Sequence, residues 1–78
     1  MNNLEKYNQA FIESFMVEKN QLKELKYQDV NEWDSVGHMS LIAGLEDHFE
    51  IEMDIDDIID FSSYEKGKDI LKKYNVEL

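Results

Sequence analysis

A serine at the start of a predicted helix is the residue of this chain best suited to chemistry. Ser35 follows Trp33 and Asp34, and the apolar residues after it recur at helical spacing. Asp34 is a strong N-cap candidate, so Ser35 falls in the first helical turn, where unpaired backbone N–H groups favour an anion. A phosphate ester on the Ser35 oxygen would be well placed there. Taken alone, however, the same residues more often form an ordinary helix start.

The spacing of the apolar residues predicts two main helices in the first part of the chain. Apolar side chains recur every three or four residues from Leu4 to Met16. The first helix is therefore expected to end near Val17, with Asn2 or Asn3 as its N-cap. The second helix begins beside the serine described above. The long connection between them is expected to lie pinned across the bundle by its apolar residues, which are Leu22, Leu25, Tyr27, Val30 and Trp33.

A short helix and a last main helix are predicted after the second one. The short helix covers about residues 56–60, and the last opens at Ser62 and Ser63, where a serine followed by Glu65 suggests a capping box. Residues 51–55 alternate like a strand, but a lone strand leaves its edges unpaired. The predicted fold class is thus all-α, a bundle of three main helices and one short helix with a long first loop. Its predicted core includes Ile42, Leu45, Phe49, Phe61 and Ile70.

The residues around Ser35 resemble the signature of the acyl carrier protein family. Asp34, Ser35 and Val36 match its Asp-Ser-Leu type of motif. The run from Leu41 to Phe49 resembles its acidic amphipathic helix, which ends in Glu-x-x-Phe. The resemblance continues to the start of the last helix and covers about residues 33–71. It implies an acyl-carrier-like bundle, with residues 1–78 forming a single carrier domain.

This resemblance implies roles for the residues of the motif. Ser35 matches the serine that receives 4'-phosphopantetheine from coenzyme A, and Asp34 matches the aspartate that helps the phosphopantetheinyl transferase read the site. Val36 stands where leucine is usual and keeps an apolar contact. Trp33 differs from the glycine-alanine type of sequence in typical fatty-acid carriers and looks more like discrete carriers of specialised pathways. The implied function is to carry acyl or aminoacyl groups as thioesters to partner enzymes.

Acidic residues dominate the stretch from residue 46 to residue 60, which contains no lysine. Such a stretch is usually a solvated face. Its position beside the serine favours instead an electrostatic address for basic surfaces on the transferase and on the enzymes that load and transfer the cargo. Met39 matches a family position that faces partners, and it is expected to be partly exposed. The residues predicted to contact partners are Met39, Glu46, Asp47, Asp54, Asp56 and Asp57.

Charge and size exclude several classes of function. The net charge is -10, which repels nucleic acid backbones and anionic membranes. The chain has 78 residues, too few for a deep catalytic pocket, so we expect no enzymatic activity. The absence of cysteine excludes disulfides and thiolate metal sites and suits a reducing compartment. We therefore expect a cytoplasmic monomer that binds neither nucleic acid nor a membrane.

The acidic residues and Ser35 allow three other interpretations. Asp54, Asp56 and Glu65 have the spacing of calcium-loop positions, but apolar residues occupy two other positions that the loop needs, so no metal site is predicted. Ser35 and His38 share a helical face, yet no acid is evident to orient the imidazole as a base. An acidic interaction module, which docks on a basic partner and carries no prosthetic group, stays open as the alternative function.

Overall fold

Four α-helices and one 3-10 helix make up the fold, which a computed structural model describes for residues 2–78. Helix α1 covers Asn3–Phe15, the 3-10 helix Lys19–Glu24, α2 Ser35–Phe49, α3 Ile55–Asp60 and α4 Tyr64–Lys72. The described residues contain no β-strand, and their one isolated antiparallel bridge joins Lys26 to Ser63. The all-α prediction is confirmed, and residues 51–55 do not form the strand that their alternation suggested.

Side-chain caps begin the main helices, although one of them differs from the prediction. Asn2 caps α1 in a full capping box, because its Oδ1 accepts the Glu5 N–H at 2.8 Å and the Glu5 carboxylate accepts the Asn2 N–H. Ser63 caps α4, and its Oγ accepts the Lys66 N–H at 3.0 Å. The predicted capping box with Glu65 is wrong. Since Ser63 rather than Ser62 is the cap, the third helical residue is a lysine and cannot return the bond.

An aromatic cluster forms the centre of the core. Phe11 of α1 lies with its ring centroid 5.0 Å from Tyr7, 5.6 Å from Trp33 and 5.2 Å from Tyr64, all in edge-on geometry. These aromatic pairs add to the free energy of burial through their quadrupoles. The core therefore joins α1, the long loop and α4 around one ring. The other buried apolar residues include Phe15, Leu41, Ile42, Leu45, Phe61, Ile70 and Leu71, whereas Phe49 is half-buried at the margin.

The long first loop is pinned to the bundle, as predicted. Its side chains Leu22, Leu25 and Trp33 are buried. Its backbone is bonded to the start of α4, where the Tyr64 N–H donates to the Leu25 carbonyl at 2.9 Å and the Tyr27 N–H donates to the Ser62 carbonyl at 2.9 Å. Two of the predicted anchors are less enclosed, since Tyr27 is partly exposed and Val30 is half-buried.

Polar groups inside the bundle are bonded to one another. The Tyr7 hydroxyl donates to the Tyr64 carbonyl at 2.6 Å, and the Tyr64 hydroxyl donates to Asn8 Oδ1. Burial, with a further contribution from Tyr64, raises the pKa of the Tyr7 hydroxyl far above its ordinary value, so this group is a neutral donor. Gly67 of α4 lies against the same site, where a Cβ would come 2.3 Å from the Tyr7 hydroxyl oxygen. Only glycine fits there without displacing an aromatic side chain.

None of the helices described for residues 2–78 has both the length and the apolar character needed to cross a bilayer.

Candidate functional site

Ser35 is the first residue of α2, and its side chain is exposed. Asp34 is the N-cap, as predicted, and its Oδ1 accepts the Gly37 N–H at 2.8 Å. The first backbone bond of the helix runs from the His38 N–H to the Asp34 carbonyl at 2.7 Å. The amides of Ser35 and Val36 therefore precede the first intrahelical bond, and they lie at the positive end of the helix dipole.

This geometry suits a phosphodiester on the Ser35 hydroxyl. An anion at that oxygen would lie beside the first amides of α2, where both the N–H groups and the dipole favour negative charge. Asp34 already holds the Gly37 amide, so the cap and an attached group do not compete for the same donor. The residues present therefore fit the group that the motif predicts.

The long loop is held tightly against the turn that carries Ser35. A Cβ built on Gly37 would lie 1.7 Å from the backbone oxygen of Glu32, so the chain passes there only because residue 37 has no side chain. Nothing in the sequence pattern singled out this contact. The presence of a glycine inside the first turn of a helix was the one signal that could have indicated it.

His38 does not act as a base for Ser35. Its Nδ1 accepts the indole N–H of Trp33 at 2.9 Å, and its Nε2 lies 2.7 Å from the Ile58 carbonyl oxygen. Since both ring nitrogens are bonded on the inner side of α2, neither is free to take the proton of the serine. The helical spacing predicted that His38 shares a face with Ser35, but it gave no sign of these two contacts.

Exposed apolar side chains lie on α2 and on α3. Val36 and Met39 of α2 are 80% and 52% exposed, which agrees with the prediction that Met39 is partly exposed. Ile55 and Ile59 of α3 are each 73% exposed and share one face of that helix. We call these four residues the apolar rim. The bond from His38 to Ile58 brings α3 beside the first turns of α2, the helix that begins at Ser35. The two isoleucines had been assigned no functional part from the sequence.

The acidic residues that were predicted to contact partners differ in their exposure and in their bonding. Asp47, Asp54 and Asp56 are exposed, as a docking role requires. Glu46 is half-buried, and its Oε2 accepts the Met53 N–H at 2.9 Å, so it also holds the turn after α2. It is therefore less available to a partner than a free surface charge.

Asp57 is not on the surface, and its assignment as a partner-binding residue is corrected. Its side chain is buried, with Oδ1 2.7 Å from Lys73 Nζ and Oδ2 accepting the Tyr74 hydroxyl at 2.5 Å. The hydrogen bond from Lys73, with that from Tyr74, lowers the pKa of the Asp57 carboxyl, and the same carboxylate raises the pKa of Lys73. The Tyr74 oxygen also accepts the Asp54 N–H at 2.9 Å. The carboxylate therefore faces the residues just after α4, which supply the cation that the acidic stretch lacks.

A separate groove of about 630 Å³ lies between α4 and the C-terminal residues. None of the predicted site residues lines it. Its two lysines are paired along α4, Lys68 with Glu65 at 4.0 Å and Lys72 with Asp69 at 3.5 Å. Glu77 also lines the groove, so its side chains carry one more negative than positive charge.

Among residues 2–78, no group of three or more histidine, aspartate or glutamate side chains is arranged to hold a metal ion. Comparison of the chain with known protein families, with curated proteins and with solved structures finds no match.

Proposed function

We propose that this protein is an acyl carrier, which holds acyl or aminoacyl groups as thioesters on a 4'-phosphopantetheine arm attached to Ser35. The observation that carries the proposal is the exposed Ser35 hydroxyl at the first position of α2, in an Asp-Ser-Val motif with Asp34 as the cap. The proposal places the carrier in the cytoplasm as a monomer, and the lack of cysteine in the chain agrees with a reducing compartment.

Attachment of the arm is a phosphoryl transfer for which this chain supplies only the nucleophile. The Ser35 hydroxyl loses its proton, and its oxygen forms a new bond to the phosphorus that bears the pantetheine half of coenzyme A. The phosphoanhydride bond to the adenosine bisphosphate half breaks, and that half leaves with the electron pair. Both ring nitrogens of His38 are bonded elsewhere, so a transferase must supply the base.

The thiol at the end of the arm carries the cargo, and this chain provides its location. A tethered thioester reacts at a high local concentration once the carrier has docked on a partner enzyme. The carrier itself needs no catalytic pocket, which agrees with the small size of the chain.

The docking surface that we propose combines the apolar rim with exposed acids on α2 and at the start of α3. Val36, Met39, Ile55 and Ile59 offer apolar side chains that a partner could bury, while Asp47, Asp54 and Asp56 supply negative charge. The matching surface on the transferase and on the loading and transferring enzymes is apolar at its centre and lined with arginine or lysine. Opposite charges would steer association and make it sensitive to salt.

Intact-mass measurement after incubation with coenzyme A and a phosphopantetheinyl transferase tests the attachment site. The parent protein is expected to gain the mass of one phosphopantetheine group, and Ser35→Ala is expected to gain none while keeping its helical circular dichroism spectrum. Ser40→Ala is the matched control, because Ser40 is also exposed on α2. It should gain the same mass as the parent.

The outcomes separate the proposal from its alternative. Mass gain on Ser35→Ala would place the group elsewhere and contradict the assignment. A parent protein that several broad-specificity transferases leave unmodified would instead support an acidic interaction module, which docks through its charge and carries nothing.

A further inference from the structure

His38 links three parts of the molecule through its two ring nitrogens. Its Nδ1 lies 2.9 Å from the indole nitrogen of Trp33 in the long loop, and its Nε2 lies 2.7 Å from the backbone oxygen of Ile58 in α3. The imidazole and indole rings are nearly coplanar, with centroids 6.3 Å apart and an interplanar angle of 13°, as the hydrogen bond between their edges requires. Because His38 belongs to the first turns of α2, it joins the loop and α3 to the helix that carries Ser35.

The two partners determine the protonation state of this histidine. An indole nitrogen can only donate a hydrogen bond, so Nδ1 must be the acceptor. A carbonyl oxygen can only accept, so Nε2 must carry the hydrogen. The contacts therefore require a neutral imidazole with its hydrogen on Nε2. A second proton would go to Nδ1 and place an N–H group against the N–H group of Trp33.

The side chains around the imidazole offer little to stabilise an added charge. Tyr27 of the loop meets the ring edge-on with centroids 5.7 Å apart, and Phe61 meets it from the segment after α3 at 6.1 Å. Tyr27 is the titratable group among these neighbours. The nearby acids are bonded elsewhere, Asp34 to the Gly37 amide and Asp57 to Lys73 and Tyr74. The ion pairs described for residues 2–78 include none between His38 and a carboxylate.

Protonation of His38 would break its bond to the long loop and keep its bond to α3. The bond to the Ile58 carbonyl survives, because Nε2 still carries its hydrogen. The bond to Trp33 is lost, and the indole N–H, which belongs to a side chain with no exposed surface, is left without its acceptor. The ring and the indole must then separate. Trp33 lies two residues before Ser35, so the movement occurs at the junction that presents the serine.

We propose that His38 is a pH-sensitive link, which holds the long loop against the start of α2 when it is neutral and releases the loop when it is protonated. Histidine side chains in general gain their charge between about pH 8 and pH 5, and this sets the range over which the link is tested. The link would act in this way whether or not Ser35 carries a prosthetic group. If it does, acid would alter how the serine is presented to a partner.

Fluorescence of Trp33, the one tryptophan of the chain, reports on this link directly. We expect the parent emission to change as the pH falls from about 8 to about 5, with the circular dichroism at 222 nm largely kept. In His38→Gln the side chain can occupy both contacts without titrating, and its emission should stay constant over that range. His48→Gln is the matched control, since His48 lies 3.7 Å from Glu13 at the far end of α2, and it should follow the parent.

A second measurement covers the case in which His38→Gln does not fold. Nitrogen NMR of the parent at about pH 8 should identify His38 as the tautomer with its hydrogen on Nε2, and lowering the pH should shift the Trp33 indole N–H signal together with the His38 ring signals. Parent emission and indole signals that stay constant from about pH 8 to about pH 5 would overturn the proposal. The opposite tautomer at about pH 8 would overturn it as well. Failure of the parent protein to gain the mass of phosphopantetheine would contradict the carrier function but would leave the His38 link unaffected.

Discussion

Helices α1 and α3 are held in the bundle by different kinds of interaction. Helix α1 buries Tyr7, Phe11 and Phe15 in the aromatic cluster, and its position is determined by packing. Helix α3 has six residues and leaves Ile55 and Ile59 exposed. It is bonded at Ile58 to α2, and its buried carboxylate is bonded to the residues that follow α4. Packing of many atoms is insensitive to pH, whereas a few polar bonds respond to protonation and leave apolar surface free.

This contrast separates a structural element from an element available to partners. Truncating a packed aromatic side chain leaves a cavity that the surrounding side chains fill only in part. Changing an exposed residue of α3 removes little that folding requires. Variants that compare the two helices can therefore distinguish effects on stability from effects on docking.

The largest effect is expected from Phe11→Ala in α1. Phe11 is fully buried and contacts five other aromatic rings, so its loss should lower the free energy of unfolding by about 3–5 kcal/mol. For a domain of this size that is a large part of the total. Urea denaturation followed by circular dichroism measures the change. A loss below about 1 kcal/mol would contradict the central position of this ring.

A smaller effect, confined to a range of pH, is expected from Asp57→Asn in α3. The hydrogen bond from Lys73 lowers the pKa of Asp57 below its ordinary value of 3.8. The stabilisation is therefore present above that value and is lost as the pH falls through the lowered pKa of the folded state. Asp57→Asn should be less stable than the parent at neutral pH, and the two should converge in strong acid.

Urea midpoints measured for both proteins from about pH 7 to about pH 2 check this expectation. Asp56→Asn is the matched control, because Asp56 is exposed on the same helix. A stability difference for Asp57→Asn that stays constant over the whole range would mean that the carboxylate charge is not what binds α3 to Lys73 and Tyr74.

The smallest effect on stability is expected from changes in the apolar rim. Ile55→Ser combined with Ile59→Ser should alter the free energy of unfolding by no more than about 0.5 kcal/mol per substitution, since both side chains are mostly exposed. Loading of Ser35 by a transferase should nevertheless slow, because the partner loses apolar contacts. Leu4→Ser on α1 is the control, an exposed apolar residue away from the site. Equal slowing by the control would argue against a docking role for the apolar rim.

Local sequence patterns predicted the helices and two of their caps. Apolar residues at helical spacing identified the four α-helices, and Asn2 and Asp34 cap α1 and α2 as expected. The partial exposure of Met39 was also predicted. These features depend on residues a few positions apart, so the chain carries the information locally. The 3-10 helix in the long loop was not predicted, because the pattern there gave only buried anchors.

Features that depend on partners distant in the chain were decided by the tertiary structure. Asp57 looked like one more surface acid until Lys73 and Tyr74 of the C-terminal region were brought to it, and His38 looked isolated until Trp33 and Ile58 met its two nitrogens. A spacing pattern gives the face of a helix on which a side chain lies, but not what will be packed there. The composition alone shows that the chain is small and acidic. Packing decides which of its charged side chains are free, because burial and pairing require groups that only the fold brings together.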